Sequence, residues 1–226
     1  MRIAIAGVLI VLPLFGAAAG AADVEPKTEE QKVFYAMGFA LSTKLAVFNL
    51  SKAELEMVEA GLSDGTLKNK PKVELQVYAP KIQDLQQARM AASAEQGKKS
   101  AQAYLEKAAA EKGSTKTASG LIFIPVKVGT GTSPKTTDTV KVHYQSALID
   151  GNVFDSSILR GQPASLPLSG VIPCWTEGLQ RMKVGGRAKF VCPAEIAYGD
   201  RGNPPVIAPG ATLVFEIELL EVTGEK

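Results

Sequence analysis

The stretch VIPCWTEGLQRM, residues 171–182, sets the only tryptophan, Trp175, beside one of the two cysteines, Cys174. A cysteine nucleophile needs a base, and the single histidine, His143, alternates with Val142 and Tyr144 in a strand-like pattern that turns it away from Tyr144. His143 therefore reads as structural. Cys174 has no CxxC partner for redox chemistry, and one histidine with two cysteines gives a zinc site little to draw on. No GxSxG elbow, phosphate-binding loop or dinucleotide fingerprint is present. No metal and no cofactor is expected. What remains is a set of aromatics with few polar companions: Tyr144, Phe154, Asp155, Trp175, Tyr198 and Phe215. Singly each suits a core. Together they suit an apolar cleft with a few polar contacts, which works by shape and dryness.

Two kinds of element must position these residues. Residues 23–112 have helical periodicity. Phe34, Met37, Leu41, Leu45 and Phe48 recur three and four apart, on one stripe. Ser51 and Glu54 have capping-box spacing before a helix whose buried face would be Leu55, Val58 and Leu62. After Pro80 the sequence is rich in Ala, Lys, Gln and Glu, and its large apolar residues thin out beyond Met90. A helix over 81–112 would reach about 48 Å and bridge through solvent. The segment before it is small for an independent core, so pairing with a second copy through residues 30–65 is expected. GSTKTASG, residues 113–120, reads as a linker. Beyond it the period becomes two in LIFIPVKV, TVKVHYQSALI and ATLVFEIELLEV, with one short helix over about 175–183. The expected class is α+β: a helical region with a long linking helix, then a curved antiparallel sheet around a short helix.

The 226 residues are 46% hydrophobic and carry 25 basic against 23 acidic side chains, net +2. Near balance, without a basic patch interleaved with aromatics, argues against a nucleic-acid partner. Residues 1–22 read as an export signal: Arg2, an apolar centre from Ile3 to Phe15, then small residues from Ala17 to Ala22. An uncleaved anchor is the alternative, and no later segment is apolar enough to span a bilayer. Export to the periplasm, or onward to the outer membrane or medium, permits a disulfide between Cys174 and Cys192. Two separate buried thiols remain the other reading.

VHYQSALIDGNVFDSS, RGQPASLPLSGVIPCWTEGLQRMKVG and AYGDRGNPPVIAPGATLVFEIELL, in this order, resemble the FKBP family of peptidyl-prolyl cis–trans isomerases. The match covers about 119–222. KVFYAMG and the long helix resemble the dimerisation region of the bacterial Mip-like and FkpA-like two-domain subfamily. The resemblance implies a signal peptide over 1–22, a helical dimerisation domain over 23–112 and an isomerase domain over 113–226. Residue by residue, it makes Trp175 the floor of a proline pocket and Tyr144, Phe154 and Phe215 its walls. Val171, Ile172 and Ile207 complete the lining, with the Ile172 backbone N–H facing a ligand carbonyl. The catalytic pair would be Asp155, oriented by Arg160, and Tyr198, whose hydroxyl reaches the substrate carbonyl. Ala164, Asn203, Gly170 and Ser146 depart from eukaryotic patterns, which bears on substrate preference and on affinity for macrolide inhibitors. The implied partners are proline-containing unfolded chains and a second copy of the chain. The roles implied are rotamase, folding chaperone, or surface interaction protein.

Overall fold

The computed structural model describes residues 25–224. The export signal expected over 1–22 lies outside the described residues. The chain divides into two compact units between Leu41 and Ser42.

Helix α1 (Glu29–Leu45) begins the described chain, with Thr28 Oγ1 accepting the Gln31 N–H at 3.2 Å and the Gln31 side chain accepting the Thr28 N–H at 3.1 Å. The expected stripe forms as a helix, and Phe48 falls in the short turn after it. No residue of α1 is buried, however, and Phe34 and Met37 are each 58% exposed.

In the second unit, helix α2 (Lys52–Thr66) is capped as its sequence predicts. The Glu54 N–H donates to Ser51 Oγ and the Ser51 N–H to Glu54 Oε2 at 2.8 Å. The expected burial of Leu55, Val58 and Leu62 is not found: α2 has no buried residue, because its apolar face finds no cover among the described residues. Helix α3 (Leu75–Ala109) has 35 residues, roughly 52 Å at 1.5 Å each. It starts before Pro80 rather than after it. Only one intrahelical bond is forgone there, and the helix continues on either side.

Helix α3 is not the solvent bridge that its sparse large apolar residues predict. Ala94, Ala101 and Ala108, seven residues apart, are buried. Ala108 joins Tyr104 and Leu105 against Ile122, Ile124, Val191 and Val214. Small side chains bring the helix backbone close, so the contact carries little of the hydrophobic bulk that periodicity detects.

The sheet comprises β1 (Thr115–Lys116), β2 (Ile122–Lys127), β3 (Thr139–Leu148), β4 (Val153–Ser156), β5 (Ala164–Pro167), β6 (Arg187–Cys192) and β7 (Leu213–Thr223). Its antiparallel order is β1-β2-β6-β7-β3-β4, with β5 also paired to β3. Alternation sorts side chains between two cores. Phe190, Cys192, Leu213, Phe215 and Ile217 face the main core, while Val191 and Val214 face α3.

Helix α4 (Pro173–Gln180) lies on the main-core face. It starts two residues earlier than its apolar spacing suggests, because Pro173 suits the first turn, where its missing N–H is not needed. It also ends earlier, since Arg181 and Met182 donate three residues back, to Gly178 and Leu179, in a tightened last turn. A Cβ on Gly178 would come 2.5–2.8 Å from the Phe190 ring, so only glycine lets the helix sit this low.

Cys174 in the first turn of α4 is bonded to Cys192 at the end of β6, both fully buried. The pair closes a loop with a sequence separation of 18. Replacing both by alanine is expected to lower stability by about 3 kcal/mol, through greater freedom of the unfolded chain. Urea denaturation of the unreduced protein and the double variant measures this directly.

Candidate functional site

Helix α4 is too short to hold its place alone, and its N-terminus is fixed from several sides. Trp175 and Thr176 donate to the Ile172 carbonyl at 2.9 and 3.2 Å. Thr176 Oγ1 donates to the Leu168 carbonyl at 2.9 Å, and Leu168 donates in turn to the Asp138 carbonyl at 3.0 Å. The result is a Trp175 side chain packed in the main core, only 5% exposed.

Two strands meet that indole edge-on. Tyr144 of β3 approaches at 5.1 Å between ring centroids and 80° between planes, and Phe215 of β7 at 5.4 Å and 89°. Such T-shaped pairs add about 0.5–1.5 kcal/mol beyond their area. A cleft of roughly 370 Å3 is lined by Tyr144, Ser146, Phe154, Asp155, Leu166, Gly170, Val171, Ile172, Trp175, Tyr198 and Phe215.

The structure therefore brings together eight of the nine residues expected there. Ile207 is not among the lining residues; it is 2% exposed, inside the core behind the cleft. Leu166 lines the cleft and had not been expected. The alternation along β5, Ala164 and Leu166 half-buried with Ser165 and Pro167 exposed, is the signal that marks it, and Leu166 pairs with Val140. A larger hollow, about 660 Å3, lies between α3 and segments 148–150 and 208–212 and contains none of the expected site residues.

Polar groups at the cleft are few and differently bound. Tyr144 Oη donates to Asp155 Oδ2 at 2.6 Å. Arg160 donates from Nη1 to Asp155 and from Nη2 to Tyr144 Oη at 2.8 Å, its guanidinium 5.5 Å from the Tyr144 ring centre. Burial pushes the Asp155 carboxyl up, but bonds from Tyr144 and Arg160 outweigh it and hold the pKa below its usual value. Burial, then the neighbouring Asp155 carboxylate, pushes the Tyr144 phenol up, so it remains a neutral donor. By contrast, the Tyr198 hydroxyl and the Ile172 N–H have no hydrogen-bond partner among the described residues. Trp175 Nε1 is buried and likewise unpartnered. His143 is held through Nδ1 by Ser157 Oγ at 3.1 Å, away from the cleft. No cluster of three or more His, Cys, Asp or Glu side chains suited to a metal occurs among the described residues.

Known proteins resemble the chain along both parts. Residues 130–220 match the family model for FKBP-type peptidyl-prolyl cis-trans isomerase, and residues 30–124 that for the domain amino terminal to it. FKBP-type peptidyl-prolyl cis-trans isomerase FkpA of Escherichia coli K12 is 40% identical over 209 residues, 87% of this chain and 77% of FkpA. The FKBP-type 22 kDa peptidyl-prolyl cis-trans isomerase of the same strain is 39% identical over 202 residues, 86% of this chain and 96% of its own. The crystal structure of FkpA from E. coli matches with a TM-score of 0.66 at 38% identity, covering 88% of this chain and 98% of that one.

The Asp155 cluster has a measurable acid signature. A carboxyl whose folded pKa is depressed contributes stability above its unfolded pKa and loses it as pH falls through the folded value. The Asp155 carboxyl resonance in NMR is expected to titrate below the ordinary aspartate value of 3.8. In Arg160→Met the midpoint moves to higher pH.

Proposed function

The chain belongs to the FKBP-type peptidyl-prolyl cis-trans isomerases, and from that premise we propose that the cleft over Trp175 twists X–Pro bonds in exported polypeptides. The observation that carries this is an apolar cleft lined by Trp175, Tyr144 and Phe215, whose unspent donors stand beside a locked carboxylate.

Rotation about an X–Pro bond breaks no covalent bond. Its barrier of roughly 18–20 kcal/mol is the loss of amide resonance. A catalyst need only bind the twisted amide better than the planar one. The proline ring rests on the Trp175 indole between Tyr144, Phe154 and Phe215. The planar amide is the more charge-separated form, so a water-poor cleft favours twisting. The Ile172 N–H and the Tyr198 hydroxyl anchor the flanking substrate carbonyls, which fixes the chain on either side of the bond that turns. Asp155 faces the carbonyl carbon, which is more ketone-like and electron-poor once conjugation is broken. Tyr144 and Arg160 keep that carboxylate charged and aimed.

The helical part, within 23–112, supplies dimerisation and chaperone-like capture. Supporting this, Val33, Phe34, Tyr35, Met37 and Leu41 of α1 are all exposed, an apolar load that a second copy would cover. Two clefts in one dimer raise the effective concentration of an unfolded chain at the second site. A periplasmic setting accords with the signal-like residues 1–22 and with the Cys174–Cys192 bond. No helix among the described residues is long and apolar enough to cross a membrane.

Isomerisation of a short X–Pro peptide by the full mature chain tests the site. Tyr198→Phe is expected to lower kcat/KM by about two- to tenfold, the worth of one hydrogen bond. Trp175→Leu, which removes the flat floor, is expected to lower it further. Unchanged rates in both variants would falsify the assignment of this cleft. Analytical ultracentrifugation at micromolar concentration is expected to give a dimer, and Phe34→Glu with Met37→Glu a monomer that retains peptide isomerisation.

A further inference from the structure

We propose that α3 positions the Tyr198 loop from behind, through Lys98 and a side-chain-free contact between Gly97 and Gly210. The inference rests on the reading of Tyr198 as the residue that contacts substrate.

Tyr198 sits between two short turns, Ala194–Ile196 and Gly199–Arg201, at the rim of the cleft. It is 38% exposed, and its hydroxyl has no hydrogen-bond partner among the described residues. Its placement must therefore come from its backbone, and that backbone is held by α3. Lys98 Nζ lies 3.2 Å from Glu195 Oε1 in the first turn and 2.6 Å from Asp200 Oδ1 in the second. One cation thus clasps both sides of the residue.

Next to it, a Cβ on Gly97 would come 3.0 Å from the Gly210 carbonyl oxygen and 3.1 Å from that of Pro209, so helix and loop backbones touch directly. Gly210 has a φ of 72°, a conformation that glycine adopts without strain, and its N–H donates to the Gly199 carbonyl at 3.0 Å. Gly199 adjoins Tyr198. Ala94 and Ala101, buried at 3% and 1%, lie on the same helix face as Gly97 and hold it in place. The path from helix to rim is α3 backbone, Gly210, Gly199, Tyr198, with Lys98 as a second tether.

The two tethers differ in strength. The Lys98 pairs are 41–66% exposed and so are screened by salt. The glycine contact is steric and independent of ionic strength. A positioning role also differs from a merely structural one in a measurable way. If α3 acts through Tyr198, its loss matters less once the Tyr198 hydroxyl is gone.

The test is a double-mutant cycle on the full mature chain with an uncharged X–Pro peptide. Lys98→Met is expected to lower kcat/KM up to about fivefold in the wild-type background, and by less than about twofold beside Tyr198→Phe. The gap between wild type and Lys98→Met closes as salt rises to about 1 M, where the screening length is about 3 Å. Charge reversal with Lys98→Glu lowers activity, and adding Glu195→Lys and Asp200→Lys restores it. Gly97→Val, which wedges the backbones apart, is expected to lower kcat/KM about tenfold or more. Should Tyr198→Phe be impaired while Lys98→Met is unaffected, or equally impaired in both backgrounds, the inference falls and the site reading stands. An unimpaired Tyr198→Phe removes the site reading itself.

Discussion

Everything at the cleft depends on keeping the Trp175 indole at one depth in the core, where it lines the cleft. An eight-residue helix cannot do this by its own stability. The work is distributed over contacts that each remove one freedom. Pro173 sets the entry direction, Gly178 allows the helix down onto Phe190, and the bond to Cys192 ties its first turn to β6. The rings of Tyr144 and Phe215 then bracket the indole at right angles. A larger residue at 178 would lift the floor, and the two T-shaped contacts would go together, because both share the one ring.

Tyr144 connects this apolar scaffold to the polar rim. Its ring is a wall against Trp175, and its hydroxyl donates to Asp155 while accepting from Arg160. Burial alone would push Asp155 toward the neutral acid. The paired donors reverse that, which gives a charge at the edge of a cleft otherwise designed to exclude water. The groups left unbound, Ile172 N–H and Tyr198 hydroxyl, are those that a peptide backbone would satisfy. A site that has bound some of its polar groups to each other and left others open separates orientation from recognition.

Strands β2, β3 and β7 and the five cleft aromatics were legible in the sequence for a physical reason: a long half-buried strand must alternate, and the aromatics are rare enough to stand out. Strands β1, β4, β5 and β6 are too short or too mixed to show it, and Val171 and Ile172 came only from the resemblance. Ser51 and Glu54 were legible too, since a capping box requires those two residues at that spacing. The helical region has the expected periodicity, and its apolar faces on α1 and α2 are uncovered among the described residues. Leu55 and Leu62 have the spacing of a core face, but spacing says nothing about which chain provides the cover. Ile207, expected to line the cleft, is buried in the core and is not among the lining residues; one side chain in a loop has no period to betray its direction. The packing of α3 escaped altogether. Ala94, Ala101 and Ala108 carry so little apolar area that a stripe of them reads as solvent-facing helix.

That omission changes the mechanical picture of the molecule. A helix joined through large side chains can shift, since long rotamers repack to follow it. One joined through alanine and glycine has no such play, because backbone meets backbone and any movement is passed on. From Arg89, which pairs with Glu54 and donates to the Phe48 carbonyl at 3.4 Å, to Ala108 against β2 and β6, α3 is held at successive points along the second unit. The Tyr198 loop lies between those points. A load on the α2 end therefore has a continuous helix along which to reach Tyr198, whose hydroxyl has no partner among the described residues.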